Sequence, residues 1–129
     1  MDKVLFAEDT LIRMADGTST EISDVHIGDR TVSPDGSVHI VTNLALAVTN
    51  RLCVITTESG KKLRFAEGST IKSNDITVYS EMNLNIREIL TNSGIEKITD
   101  IDEIEYYGKV YVIYLNKDAY IIANDFVVK

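Results

Sequence analysis

The sequence has little of several residue types, and each shortage excludes a class of protein. Of its 129 residues one is proline, one is cysteine and none is tryptophan. The single cysteine, Cys53, excludes an intrachain disulfide and a metal site built from several thiolates. No apolar run approaches the roughly 20 residues of a membrane-spanning helix, and the first residues lack the basic start and apolar core of a signal peptide. We therefore expect a soluble protein without an export signal, either cytoplasmic or part of a larger assembly.

Positive charge is also scarce. Lysine and arginine number 13 against 20 aspartates and glutamates, which gives a net charge of −7. The basic residues are scattered along the chain and form no stripe, so the sequence predicts no binding to the phosphate backbone of nucleic acid. With 44% hydrophobic residues the composition is that of an ordinary globular protein, and the length fits one domain.

What the sequence does have is the pattern of β-strands. Turn signals such as Asp16-Gly17 and Pro34-Asp35-Gly36 recur at short intervals, and the segments between them are rich in Val, Ile, Thr and Tyr. No long segment has helical periodicity. VYVIYL (110–115) is apolar on both faces and predicts a central strand, whereas KKLRFAE (61–67) alternates and predicts a half-exposed one. These patterns predict an all-β protein.

The chain also contains an internal repeat. DVHIGDRTVSPDG (24–36) aligns with NLNIREILTNSG (83–94) when one gap is allowed, and the two copies then continue in the same order. After one further gap VTNL (41–44) matches ITDI (98–101), and after another single-residue gap NRLCVI (50–55) matches GKVYVI (108–113). Two similar β units predict an intertwined domain with a pseudo-two-fold axis.

Three blocks of the sequence resemble one family. They are LFAEDTLIRMADGTSTEISDVHIGDRTVSPDG (5–36), TTESGKKLRFAEGSTI (56–71) and YGKVYVIYLNKDAYIIANDFVVK (107–129). Together they resemble the Hint domains, the fold shared by inteins, bacterial intein-like domains and hedgehog autoprocessing domains. The resemblance implies a horseshoe-shaped all-β fold with duplicated halves, here a single domain over residues 1–129 without an endonuclease insertion. The segment MNLNIREILTNSG (82–94), between the second and third blocks, also suits the family, but Arg87 and Glu88 replace the family's Gly-Asp pair there.

The resemblance also implies where chemistry would occur, and this sequence departs from it at each place. In the family, a Cys or Ser attacks the carbonyl before it; Leu5 stands at that position. A Thr and a His position and protonate the scissile amide, and these places fall on Ala66 and Ser69. A terminal His-Asn pair releases the C-terminal side, and the His place is Lys129. We therefore predict no catalytic residue and a site that is degenerate at four positions.

No other residue is expected to replace the missing groups. Thr10 lies about 16 Å from Leu5 along an extended strand, and Cys53 is predicted to be a buried, inert thiol. Ser69 carries a hydroxyl without an evident base. His26 is predicted to be a solvated turn residue and His39 a strand side chain.

Two further features have ordinary explanations. The acidic run TDIDEIE (99–105) could offer Asp100, Asp102 and Glu103 to a metal ion, but the spacing matches no known ligand loop, so an exposed strand or turn is favoured. The tyrosines of residues 106–114 could form a binding face, although packing in the core and at edges is favoured. We predict neither a metal nor a cofactor.

Three hypotheses on function follow. The first is a non-catalytic Hint-like module that serves as a structural or protein-binding domain, with a flanking or partner protein and neither nucleic acid nor membrane as its target. The second is a protein-splicing or autoproteolytic domain that has been inactivated or uses an unusual route. The third is an unrelated small β protein whose likeness to the family is accidental.

Overall fold

β-Strands make up almost all of the chain in a computed structural model, which describes residues 3–73, 76–79 and 87–129. Within these ranges the only helical element is a 3-10 turn, Ile22–Asp24. None of the described residues forms a helix long and apolar enough to cross a membrane. The prediction of an all-β protein is confirmed. The strands are β1 (Phe6–Ala7), β2 (Leu11–Arg13), β3 (Ser19–Glu21), β4 (Arg30–Val32), β5 (Val38–Thr57), β6 (Lys62–Ala66), β7 (Thr70–Ser73), β8 (Ile76–Tyr79), β9 (Glu88–Thr91), β10 (Gly94–Leu115), β11 (Ile121–Ala123) and β12 (Phe126–Val128).

Ten of these strands form one antiparallel sheet. Their order is β3-β2-β11-β12-β9-β10-β1-β6-β5-β4, and β10 also pairs with β5. Strands β7 and β8 pair with each other in a separate two-stranded sheet. β5 and β10 are several times longer than the others, so they connect parts of the sheet that are distant from one another.

The long ribbon of β5 and β10 contains the pseudo-two-fold axis that the repeat predicts. In the sequence alignment residue 44 corresponds to 101, and residue 55 to 113. The register pairs Leu44 with Ile113, and it also pairs Ile101 with Ile55. Exchanging each residue for its counterpart therefore converts one observed pair into the other. The hairpins match as well, because β4 precedes β5 as β9 precedes β10. Residues 83–86 of the second repeat lie outside the described residues.

The two ends of the ribbon share an irregularity that obeys the same symmetry. The register shifts by one residue at Thr42 and again at Thr99, which are counterparts in the repeat. The Thr42 hydroxyl donates to the carbonyl of Tyr114 at 3.2 Å, and the Thr99 hydroxyl donates to the carbonyl of Thr56 at 3.3 Å. Each bulge is thus closed by the same hydrogen bond. Such bulges bend a strand and increase its twist.

The middle of the ribbon has a third irregularity, between Glu105 and Gly108. The ring of Tyr106 packs so closely on Gly108 that a Cβ there would lie 2.8 Å from a ring carbon, which explains glycine at this position. Tyr111 packs against the core as predicted for the tyrosines, whereas Tyr107 is 84% exposed. TDIDEIE lies in β10 with its carboxylates exposed, which agrees with the prediction of an exposed strand.

The hydrophobic core draws on nearly every strand. Phe65, Phe126, Ile12 and Leu63 are fully buried, and they come from β6, β12 and β2. β6 alternates as predicted, since Leu63 and Phe65 are buried while Lys62 is exposed. In VYVIYL, the side chains of residues 110, 112 and 113 are buried. Because burial of apolar surface is the main stabilising term in folding, the core rather than any single contact holds the ladder together.

A buried carboxylate links the β5–β6 and β9–β10 turns at one end of the sheet. Glu96 is 8% exposed, and its Oε2 accepts from Lys61 Nζ at 2.5 Å and from the Thr91 hydroxyl at 3.1 Å. Its Oε1 accepts from the Ser59 hydroxyl at 2.5 Å. These hydrogen bonds lower the pKa of Glu96 from its ordinary 4.5 to about 2. The bond from Lys61 has the largest effect, followed by the bond from Ser59.

This cluster predicts a pH dependence of stability. Because the pKa of Glu96 is lowered by folding, its contribution is complete above about pH 4.5 and is lost as the pH falls toward 2. Glu96→Gln should lower the free energy of unfolding at pH 7, and the gap between variant and wild type should close on acidification. Urea denaturation at pH 7, 5, 3.5 and 2 measures both free energies. A gap that stays constant over this range would contradict the assignment.

Candidate functional site

The segment before β1 lies against the turn that joins β6 to β7. The amide of Ala66 donates to the carbonyl of Leu5 at 2.8 Å, and the amide of Thr70 donates to the carbonyl of Lys3 at 3.1 Å. Between these two bonds, the amide of Leu5 donates to Ser69 Oγ at 3.0 Å. The peptide bond between Val4 and Leu5 is therefore held on its nitrogen by a side chain and flanked by main-chain hydrogen bonds.

The turn that presents Ser69 is built by its sequence. The amide of Ser69 donates back to the carbonyl of Ala66 at 3.2 Å, and Gly68 within the turn has φ 88°, which a residue with a Cβ rarely adopts. Ala66 and Ser69 are each 2% exposed, while Leu5 is half-buried. The hydroxyl of Ser69 thus meets the Leu5 amide away from bulk water.

Lys129 follows β12 and pairs with β7. Its amide donates to the carbonyl of Lys72 at 3.0 Å, and the amide of Lys72 donates to the carbonyl of Lys129 at 2.9 Å. Its ammonium donates to Asp118 Oδ2 at 3.0 Å and lies 4.7 Å from the centre of the Tyr120 ring. The Lys129 ammonium lowers the pKa of the Asp118 carboxyl. The side chain is therefore engaged in an ion pair and a cation–π contact.

The structure brings the four predicted positions to one region. Leu5, Ala66 and Ser69 are in direct contact through the hydrogen bonds above. Lys129 lines a small cleft together with Val4, the residue before Leu5. The apolar floor of this cleft includes Phe6 and Ile121. The two ends of the described chain thus meet beside the Val4–Leu5 bond.

Neither Thr10 nor Cys53, the two alternative nucleophiles, is in a setting that would activate it. Thr10 is 1% exposed, and its hydroxyl has no hydrogen-bond partner in the described part of the chain. Its amide donates to the carbonyl of Ala7 at 3.1 Å. Cys53 is buried in β5 opposite Phe65, as predicted. Burial, and after it the charges of Glu103 and Glu67, raise the pKa of the Cys53 thiol. A raised pKa favours the thiol form, which is a poor nucleophile at neutral pH.

The two histidines lie near the β4–β5 hairpin, His26 before β4 and His39 in β5. His26 is exposed in a turn, and its amide donates to Asp29 Oδ2 at 2.8 Å. His39 is on β5, where its Nε2 is 3.0 Å from Ser37 Oγ and its Nδ1 has no hydrogen-bond partner among the residues that the structure describes. Both settings agree with the predictions of a turn residue and a strand side chain. Neither histidine has a hydrogen bond to Leu5 or Ser69.

Reasoning from the sequence missed the roles of two residues, Asp118 and Asn124. Asp118, the ion-pair partner of Lys129, sits in an ordinary turn sequence that gave no sign of this role. Asn124 has φ 47° in the β11–β12 turn, and its side chain accepts from the Leu11 amide at 2.7 Å. The Asn-Asp pair was a usable signal here, since hairpin turns with positive φ favour Asn and Asp.

Comparison with known proteins identifies similar folds but no similar sequence. No protein-family model matches the chain, and no curated protein matches it. The structure of the gp41-1 intein superposes with a TM-score of 0.82 at 19% identity, covering 98% of this chain and 97% of that one. A DnaB intein from Synechocystis sp. PCC 6803 gives 0.76 at 17%, covering 97% and 96%. The Msm DnaB1 intein splicing domain, solved with bound zinc, gives 0.74 at 16%, covering 95% and 97%.

The bond between Ser69 and Leu5 predicts a local effect of mutation. Ser69→Ala removes the acceptor of the Leu5 amide, so hydrogen exchange at that amide should accelerate and the free energy of unfolding should fall by about 1 kcal/mol. Ser73→Ala is the matched control, because Ser73 is another 2%-exposed serine, and its hydroxyl donates to the carbonyl of Val127 instead. Hydrogen exchange followed by NMR separates the two. Unchanged exchange at Leu5 in Ser69→Ala would contradict the assignment.

Proposed function

We propose, from the premise that this chain has the Hint fold shared by inteins, that it is a non-catalytic module serving as a structural or protein-binding domain. The observation that carries the proposal is at the Val4–Leu5 bond. Ser69 and Ala66 hold Leu5 by its amide and its carbonyl, yet the side chain at this position is an alkyl group. The scaffold is kept and the nucleophile is missing.

In the reaction that the resemblance to Hint domains implies, the side chain at position 5 would attack the carbonyl of Val4. The isobutyl group of Leu5 has no lone pair and cannot form an ester or thioester. Ser69 accepts a hydrogen bond from the scissile nitrogen, so it orients that amide. An aliphatic hydroxyl does not protonate a leaving amine at neutral pH as an imidazolium would. The Ala66 side chain offers no polar group at all.

The C-terminal side supports the same proposal. The resemblance places a histidine at Lys129, where it would assist cyclisation of the following asparagine. The ammonium of Lys129 is instead paired with Asp118 and stacked on Tyr120. This side chain therefore lacks the imidazole that the resemblance implies at this position. The contacts of Lys129 anchor the last strand to the fold.

A protein-binding role is supported by the surface of the long ribbon. Leu46 on β5 is 60% exposed, Val48 is 78% exposed, and Tyr107 on β10 is 84% exposed. Val48 and Tyr107 line one shallow cleft near the pseudo-two-fold centre. Clusters of large, exposed apolar side chains are typical of surfaces that contact other proteins.

The competing hypothesis of an active autoprocessing domain gives an opposite result in one experiment. A precursor with a folded domain attached before Met1 and another after Lys129 should remain intact for days at pH 7, with or without dithiothreitol. The physical reason is that no thioester can form at Leu5, and loss of general acid catalysis alone removes about 10² to 10⁴ in rate. Intact-mass spectrometry measures the outcome. A product cut between Val4 and Leu5 would contradict the proposal and would mark a working domain.

A further inference from the structure

A second cleft, of about 500 Å³, lies on another part of the sheet. Its lining comes from β2, β3, β6, β11, the β11–β12 turn and Asp9. It includes none of the four positions Leu5, Ala66, Ser69 and Lys129. Its volume falls in the range of small-molecule sites, which is about 300 to 1,000 Å³. The side chains that line it are mainly polar, in contrast to the apolar cleft beside Val4.

Strand register places polar groups side by side on the floor of this cleft. Arg13 on β2 is directly opposite Ser19 on β3. Ile12 pairs with Ala123 of β11, so Ile122 lies next to Arg13 on the other side. Cross-strand neighbours share one face of the sheet, so the Ser19 hydroxyl, the Arg13 guanidinium and an apolar side chain form a row.

The opposite wall is tied to this floor by Asn124. Its Oδ1 accepts from the amide of Leu11 on β2, and its Nδ2 donates to the carbonyl of Lys62 on β6 at 3.1 Å. Lys62 and Arg64 lie on the same face of β6, because Leu63 between them points into the core. The cleft is therefore preformed, with one basic residue on its floor and two on its wall.

The charges in this cleft are only partly balanced. Arg64 is paired with Asp9, and Asp125 is engaged by Lys61 at 3.6 Å. Arg13 and Lys62 have no acidic partner among the residues that the structure describes. The Nε of Arg13 is buried and has no hydrogen-bond partner within the described ranges, and an unsatisfied buried donor in a native protein calls for an explanation. Two unpaired cations in one cleft are notable in a chain of net charge −7.

We propose that this cleft binds a small anion through Arg13 and Lys62, with the Ser19 hydroxyl as a third ligand. The chemistry is that of a phosphate or carboxylate group, which the planar guanidinium grips through paired N–H donors and the ammonium attracts as a point charge. Asp9 is paired with Arg64, and Asp125 shares Lys61 with Glu96, so the three basic residues of the lining still outnumber its two carboxylates. The site is independent of the proposed loss of autoprocessing, so either can fail without the other.

Titration of the ¹⁵N-labelled protein at low ionic strength tests this site, with inorganic phosphate and citrate as separate probes. Saturable shifts of the amides of Arg13, Ser19 and Lys62 are expected with at least one probe. Tighter binding of phosphate would identify a phosphate-bearing ligand, and tighter binding of citrate a polycarboxylate. Binding of the better probe should weaken as salt is added.

Variants decide whether the cleft or the overall charge is responsible. Arg13→Gln with Lys62→Gln should weaken binding at least tenfold, since each charge-assisted hydrogen bond is among the stronger ones. Lys62→Gln alone, at an exposed position, should show a clear part of the loss without affecting the fold. Arg51→Gln with Lys109→Gln removes the same charge outside the cleft and should leave affinity within about twofold. Absence of saturable binding by both probes, or equal weakening in the control pair, would overturn the proposal.

Discussion

The antiparallel pairing of β5 with β10 is the constraint on which the rest of the structure depends. The register runs from the pair of Val41 with Leu115 to that of Thr57 with Ile98, and each strand continues past it into its own hairpin. β6 and β1 add to this ribbon, and they bring the Val4–Leu5 bond to the β6–β7 turn. A shift of the ribbon by one residue would turn every inward side chain outward. The location of the site is therefore a consequence of this one register.

The groups that stabilise the fold differ from those at the implied catalytic positions. Stability comes from the ladder and from a core shared by many strands, in which each side chain contributes a small part. The residues at the implied catalytic positions contribute only locally: Ser69 satisfies the Leu5 amide, and Lys129 satisfies Asp118. On the proposal that the chain is non-catalytic, the fold needs none of the groups that the reaction would require.

Much of the fold could be predicted from the sequence, because a strand pattern is local and a repeat is visible in the letters. The match of VTNL with ITDI predicts a two-fold relation between the strands, and the register shows it, since the pair Leu44–Ile113 is equivalent to the pair Ile101–Ile55. The bulges at Thr42 and Thr99 could not be predicted, since threonine is ordinary in a strand and only the paired register reveals the extra residue. Glu96 is similar, because its burial depends on Lys61 and Ser59 from a turn far away in sequence.

The candidate site was predictable only through resemblance to a family. Leu5 and Ser69 are 64 positions apart, and no periodicity or spacing joins them. Resemblance gave the four places, and the structure supplied the contacts between them. Arg13 and Lys62 were not predicted as a pair, since they belong to different blocks and each reads as a solvated strand residue. Both line one cleft, in which the Asn124 side chain joins the backbone of β2 to that of β6. The position of Asn124 depends on its positive φ, which the sequence suggests only weakly.

The central claim is that the geometry of an autoprocessing site remains although its reacting groups are gone. Restoring those groups together tests it most directly. A precursor with a folded domain before Val4 would carry Leu5→Cys, Ala66→Thr and Ser69→His, and intact-mass spectrometry would follow it with dithiothreitol. The account predicts slow, thiol-dependent cleavage at the bond after Val4, and much less with Leu5→Cys alone. A folded triple variant that stays intact would contradict the claim that the backbone still holds this bond in a reactive geometry.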